Sequence, residues 1–330
     1  MKVLVTGATG FIGRKVVDAL VEAGHEVTAF VRNTSNVSGL AEGVHIFEGD
    51  LLDTESLKQA VVDQDAVMHF AAYFDFYATD EELLYRTNVE GTKGLMKACA
   101  DASVQRFIYC STTEVIGPVR FPPGNEDTEL CPQFEYARSK IKAEESIREI
   151  SKSRNLDHII LRATGVVGEG DMYVGFDIVE AVATGAAPFI PDGETKINMF
   201  MHVDDVESAF VAALTSQSAL NETIILCPDD AVSWIKLFDE LAEHTGGKAP
   251  RPGLPMILAR LGMAILSRFK GRGRKTFLWH TESIKAVGQS RWYLNDKAKR
   301  LLGWKPEFTL IEAFKKAADW YFEQGLLERK

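Results

Sequence analysis

Between Val3 and Val31 the chain passes from a β-branched run into a glycine turn and then into a helical pattern, an order that leaves few folds open. Val3-Leu4-Val5 has the composition of a strand buried on both faces. Gly7-Ala8-Thr9-Gly10-Phe11-Ile12-Gly13 follows, and Ile12, Val16, Val17, Ala19, Leu20 and Ala23 then recur at helical spacing. Gly24 suits the end of that helix, and Val27 to Val31 begins a second strand. Strand, glycine turn, helix and strand within about 30 residues is the unit that holds a dinucleotide. Glycine lacks a Cβ, so the backbone can approach a pyrophosphate, and the helix N-terminus offers N–H groups and a partial positive charge. Gly7, Thr9, Gly10, Phe11, Ile12 and Gly13 are therefore candidate cofactor contacts.

A second constellation lies in a helical run from about Phe134 to Lys152, where Tyr136 and Lys140 stand four residues apart and share one face. A neighbouring ammonium favours phenolate over phenol, which would bring a group of ordinary pKa about 10 into a range useful for proton transfer.

The spacing GxxGxxG, taken with Tyr136 and Lys140, resembles the extended branch of the short-chain dehydrogenase/reductase family, also known as the NAD-dependent epimerase/dehydratase family. The resemblance covers nearly the whole chain. It is closest in pattern to dihydroflavonol reductase-like and hydroxysteroid dehydrogenase-like members. It implies a Rossmann-type, doubly wound parallel α/β sheet with a smaller, mostly helical C-terminal substrate domain. Residues 1–165 would form the cofactor core, rejoined by about 200–228, and residues 166–330 would mainly bind substrate.

Where sites that take NAD usually carry a carboxylate at the end of the second strand, this chain has Arg32, a fork of donors suited to a phosphate. NADP(H) is the expected cofactor, with NAD(H) as the alternative if Arg32 stacks on adenine or faces solvent. Asp50 and Leu51 fall where the family meets the adenine ring, although Asp50 or Asp53 could instead cap the next helix. His69-Phe70-Ala71-Ala72 resembles the small-residue turn that leaves room for cofactor, which makes Ala71 and Ala72 contacts and His69 structural. Asn88-Val89-Glu90-Gly91-Thr92, in a helix expected from Glu81 to Ala102, matches a structural segment of the family.

Thr112 falls where the family places a catalytic hydroxyl; Ser111 takes that role if the alignment slips by one. Family dehydratases read Thr-Asp-Glu at Thr112-Thr113-Glu114, with Asp and Glu as acid and base, and the threonine at 113 argues against water elimination here. Tyr73, Phe76, Thr113 and Glu114 are candidate substrate contacts, the aromatics of Tyr73 to Tyr77 either lining the cleft or packing on their own domain. In Arg162-Ala163-Thr164-Gly165-Val166-Val167-Gly168 the resemblance places Ala163 near the nicotinamide end, in a position where the family usually has proline. Asp204 and Asp205 read as capping and structural. The apolar then basic stretch from Leu254 to Lys275 is either a lid helix over the cleft or a membrane-surface helix.

Charge and cysteines narrow the partners. A net charge of -10, from 47 acidic and 37 basic residues, argues against a nucleic-acid partner. Four cysteines without ligand spacing imply a reducing compartment and no metal. With no run that reads as a signal peptide or a membrane span, a soluble cytoplasmic protein is expected. The resemblance further implies a homodimer and Tyr136 as general acid or base, with Lys140 lowering its pKa and holding the nicotinamide ribose. Three activities follow: a carbonyl reductase or hydroxyl dehydrogenase for a bulky, partly apolar small molecule, a nucleotide-sugar epimerase that retains its cofactor, or a non-catalytic NADPH-binding protein.

Overall fold

Val3, Leu4 and Val5 are completely buried because their strand, β1 (Lys2–Thr6), runs through the middle of a seven-stranded sheet. The computed structural model describes residues 1–75, 79–186, 189–190, 193–253, 255, 257–258 and 288–329. On one side of β1 lie β2 (Glu26–Val31) and β3 (His45–Glu48). On the other lie β4 (Ala66–His69), β5 (Arg106–Thr112), β6 (Asp157–Ala163) and β11 (Glu222–Leu226). Every neighbouring pair is parallel, so the connections must cross over the faces and cover both with helices. This is the Rossmann-type doubly wound architecture.

α1 (Phe11–Glu22) and α7 (Val203–Thr215) cover one face, where Val16, Val17 and Leu20 pack with Phe210 and Leu214. α2 (Thr54–Ala60), α4 (Thr92–Asp101) and α5 (Glu135–Arg154) cover the other, through Leu57, Leu95 and Ile147. Because β2 and β4 flank β1, the chain leaves β1 in opposite directions and a crevice opens beyond its C-terminal end. Gly7 sits at that point with φ +70, and a Cβ there would lie 2.7 Å from the Ala71 nitrogen. A Cβ on Gly13 would lie 2.2 Å from the Gly7 carbonyl oxygen, so only glycine lets α1 press against the turn.

The helix expected from Glu81 to Ala102 is not continuous. α3 (Glu81–Tyr85) leads into a π-helical turn, Arg86–Gly91, before α4 begins. The turn carries Asn88 inward, 1% exposed, where it accepts from the Tyr73 N–H at 2.7 Å and donates to the Tyr73 carbonyl at 3.1 Å and to Ser139 Oγ at 3.0 Å. Widened turns of this kind are common at functional sites.

The rest of the chain forms a second, mostly helical layer. It holds the pairs β7 (Gly165–Val167) with β10 (Phe200–His202), β9 (Lys196–Ile197) with β12 (Val232–Ser233), and β8 (Phe189–Ile190) with β13 (Arg251–Pro252). α6 (Val174–Thr184), α8 (Trp234–Thr245) and α10 (Leu310–Glu323) bury Phe176, Trp234, Leu237 and Phe314 in their own core. Thr309 and Glu312 close a capping box at the start of α10. α9 (Asp296–Leu302) and Trp304 turn back to the main sheet, where Trp304 donates to Ser208 Oγ at 3.0 Å.

Two details differ from expectation. His202, not Asp204 or Asp205, caps α7: its Nδ1 accepts from the Asp204 N–H, while Asp205 accepts from the Glu307 and Phe308 N–H groups. Of the apolar and basic stretch at 254–275, only Pro255, Ile257 and Leu258 fall within the described residues. Among the described residues no helix is long and apolar enough to cross a membrane.

Candidate active site

The crevice beyond β1 widens into a cleft of about 250 Å³. Gly7, Gly10, Phe11, Ile12 and Gly13 line one end, Phe70 and Ala72 follow from the end of β4, and Ser111, Thr112, Tyr136, Lys140 and Ala163 lie beyond. Phe74, Phe134, Tyr173, Met199 and Phe200 make the far part largely apolar, with Glu114, Asp171 and Arg291 as ionisable exceptions. The parallel register explains this assembly: β1, β4, β5 and β6 all end at the same edge of the sheet, so their C-terminal residues and loops converge.

Tyr136 and Lys140 sit one turn apart near the start of α5, 9% and 2% exposed. Lys140 Nζ donates to the Cys110 carbonyl at 2.6 Å and lies 4.2 Å from the centre of the Tyr109 ring. It is 6.0 Å from the centre of the Tyr136 ring. Burial pulls the Lys140 ammonium down to about 8, against upward pulls from Cys110 and Glu144. The Tyr136 phenol is held above its ordinary value, chiefly by burial and then by the Cys110 and Glu114 charges. The expectation that Lys140 draws the phenol down does not hold in this arrangement. Desolvation dominates, and the Lys140 ammonium is turned toward the Cys110 carbonyl.

Ser111 and Thr112 part company at the end of β5. Ser111 Oγ donates to Glu144 at 2.6 Å, inside a network where Arg162 grips the same carboxylate at 2.9 and 2.7 Å. Burial alone would raise the Glu144 pKa, but Arg162, Ser111 and Arg148 more than offset it and hold the group below its ordinary value. Thr112 Oγ1 accepts from the Glu114 N–H at 3.2 Å, which leaves its own proton to give. His69 is fully buried between Thr6 Oγ1 at 2.6 Å and Thr92 Oγ1 at 2.9 Å. Burial, followed by the Lys140 charge, lowers its pKa to about 3, so it stays a neutral strut.

Several residues picked from the sequence lie elsewhere. Thr113 is 2% exposed and absent from the cleft wall; just beyond it the Gly117 carbonyl accepts from the Tyr293 hydroxyl at 2.6 Å, which links segment 288–293 to the end of β5. Tyr73 has its backbone fixed by Asn88, and the neighbouring Phe74 lines the cleft in its place, 5.0 Å from the Tyr136 ring centre and 5.5 Å from that of Tyr173. Alternation along an extended segment sends neighbours opposite ways, and only one of the two reaches the cleft. Phe76 lies outside the described residues. Thr9, Arg32, Asp50, Leu51 and Ala71 do not line the cavity. Ala71 backs the turn by donating to Thr6 Oγ1 at 3.2 Å, and Asp50 accepts from the Leu52 N–H at 2.8 Å. Arg32 is exposed at the end of β2, without a side-chain hydrogen bond or ion pair among the described residues. Arg291, Phe134, Tyr173 and Phe200 enter the cleft without sequence warning, since nothing local distinguishes them from core residues.

These residues fit a dinucleotide. Gly10 starts α1 without a side-chain cap and no carboxylate occupies the first turn, so its N–H groups stay open to phosphate. The cavity then runs on from that turn to Tyr136 and Lys140. Comparison with known proteins agrees with this geometry. The model of the NAD dependent epimerase/dehydratase family matches residues 3–227. Sterol demethylase protein B of Methylococcus capsulatus is 29% identical, over 99% of this chain and 100% of its own. A 3-beta-hydroxysteroid dehydrogenase of Mycolicibacterium neoaurum is 26% identical, over 97% and 91%. Among solved structures, UDP-glucose 4-epimerase of Thermotoga maritima, crystallised with UDP-glucose, superposes with a TM-score of 0.79 at 26% identity, over 99% and 100%.

Proposed function

The chain belongs to the NAD dependent epimerase/dehydratase family, as an NAD(P)-dependent oxidoreductase of the extended short-chain type, and from that membership we propose that it interconverts a bulky, partly apolar ketone and its alcohol with NADP(H). The observation that carries this reading is the placement of Tyr136 and Lys140 in an apolar cleft continuous with the glycine turn. Two relatives named for sterols or steroids, among them a 3-beta-hydroxysteroid dehydrogenase, support a bulky apolar substrate.

In this reading the glycine turn and the start of α1 hold the pyrophosphate, Arg32 meets the ribose phosphate, and Lys140 faces the nicotinamide ribose. When bound, the nicotinamide supplies or takes up hydride. The chain's own part is the proton. A phenol held above its ordinary pKa stays protonated through neutral pH, ready to donate to an oxygen that becomes a far stronger base as the carbonyl is reduced. Thr112 gives its free proton to the same oxygen and fixes its position. Phe74, Phe134 and Phe200 exclude water, which strengthens both hydrogen bonds.

The test is NADPH consumption with a panel of bulky ketones. Turnover is expected in the native chain, with a loss of roughly 10²–10⁴-fold in Tyr136→Phe. Absence of turnover on every ketone removes the proposal. A second reading, nucleotide-sugar epimerase, is favoured by the likeness to the UDP-glucose enzyme. It expects protein purified with tightly held cofactor, conversion of a UDP-sugar and no net redox change.

A further inference from the structure

Glu114 and Arg291 are charged groups among mostly apolar neighbours on the cleft wall, and neither gives or takes the proton in the chemistry just described. Arg291 is completely buried. Its Nε donates to Glu114 Oε1 at 3.1 Å and its Nη2 to Gln133 Oε1 at 2.8 Å, while Gln133 in turn donates to Gln289 at 2.7 Å. The backbone around it is pinned as well: the Asn198 N–H donates to the Arg291 carbonyl at 3.0 Å. Glu114 is thereby held from behind and keeps 13% of its side chain exposed. Among the described residues two polar atoms of this pair have no partner, Glu114 Oε2 and Arg291 Nη1, and both are shielded from solvent. Shielded, unpaired atoms on charged groups are expensive, and the part of Glu114 that stays exposed borders the cleft, where a partner arriving with the ligand can meet its carboxylate.

Resting on the ketone/alcohol reading above, we propose that Glu114, positioned by Arg291, accepts a hydrogen bond from a second hydroxyl of the substrate, remote from the reacting carbon. The pairing sets the chemistry. A lone arginine would select an anion, but here the carboxylate faces the cleft and repels one. A lone carboxylate would select a cation, but the guanidinium behind it offsets its charge. A neutral hydroxyl suits the pair, since it gives a proton to the carboxylate and accepts one if it reaches the spare N–H. The favoured substrates are therefore mainly apolar skeletons with a hydroxyl at the far end. Discrimination against the analogue lacking that hydroxyl should be marked, because it leaves the charged acceptor buried and unpaired.

The test compares two probes, cyclohexylcyclohexanone and the same ketone with a hydroxyl on its outer ring, by titration calorimetry on the NADP-saturated full chain. The hydroxylated ketone is expected to bind about tenfold tighter, the size of one hydrogen bond to a charged group. In Glu114→Gln, nearly the same shape without the charge, that ratio should fall toward one. Arg291→Lys should lower it partway, and if that variant does not fold the Glu114→Gln ratio still decides. Equal affinities in the native chain, or an unchanged ratio in Glu114→Gln, overturn the proposal and assign the spare atoms to ordered water only. Turnover of the plain ketone is followed in parallel. Turnover without any preference, or failure of both probes to bind, sinks this inference and leaves the ketone reading standing, whereas absence of turnover across the whole ketone panel sinks both.

Discussion

Lys140 shows how a single buried residue can be costly to the fold. Its ammonium titrates near 8 when folded against 10.5 in the open chain, so unfolding takes up protons between those values and stability climbs as pH rises through them. The penalty is fully present below pH 8. Lys140→Met is therefore expected to unfold at higher urea than the native chain at pH 7, by roughly 1–3 kcal/mol after the lost bond to the Cys110 carbonyl, while turnover collapses. The gain should shrink as pH rises from 8 toward 10.5, a sign that equilibrium unfolding at several pH values would check. At the other end of the proposed cofactor site, the exposed Arg32 side chain makes no hydrogen bond or ion pair among the described residues. Arg32→Asp is expected to cut the preference for NADP over NAD by about 10–100-fold, the worth of one or two charge-assisted bonds to phosphate, read from kcat/KM with each cofactor.

At the scale of elements, what could be read from the chain was what is encoded locally. Val3 to Val31 declares its strand, turn and helix within one window, and the helix bearing Tyr136 and Lys140 falls within two residues of where spacing puts it. The π turn at Arg86–Gly91 could not be read that way, because Asn88 is drawn inward by partners at Tyr73 and Ser139, 15 and 51 residues away. Arg291 was hidden for the same reason: its ion pair with Glu114 spans 177 residues. Thr113 misled because a short 3₁₀ turn, Thr113–Val115, follows β5 directly and rotates it off the cleft wall. Asn88 ties the aromatic segment to the helix of Tyr136, so Asn88→Ala should cost about 1–3 kcal/mol of stability for the polar groups it abandons. It should also raise KM for an apolar ketone as Phe74 loses its fixed place. Urea unfolding and ketone kinetics measure the two effects separately.

At the scale of the whole molecule, Glu82 and Tyr85 of α3, Glu90 of the π turn, and Lys142 and Glu149 of α5 line one shallow groove on the outside of these helices. A homodimer pairing through these helices is what the family resemblance implies, and it is the expectation to test. Light scattering after size exclusion is expected to give twice 36.6 kDa, and a single-chain mass would leave the groove to solvent. The bond between Arg291 and Glu114 also bears on how the enzyme comes into being. Synthesis delivers the glycine turn before Leu226 completes the central sheet, and Arg291 only after both. On the readings proposed above, the segment that would grip the cofactor is therefore made well before the residue that would help tell one alcohol from another.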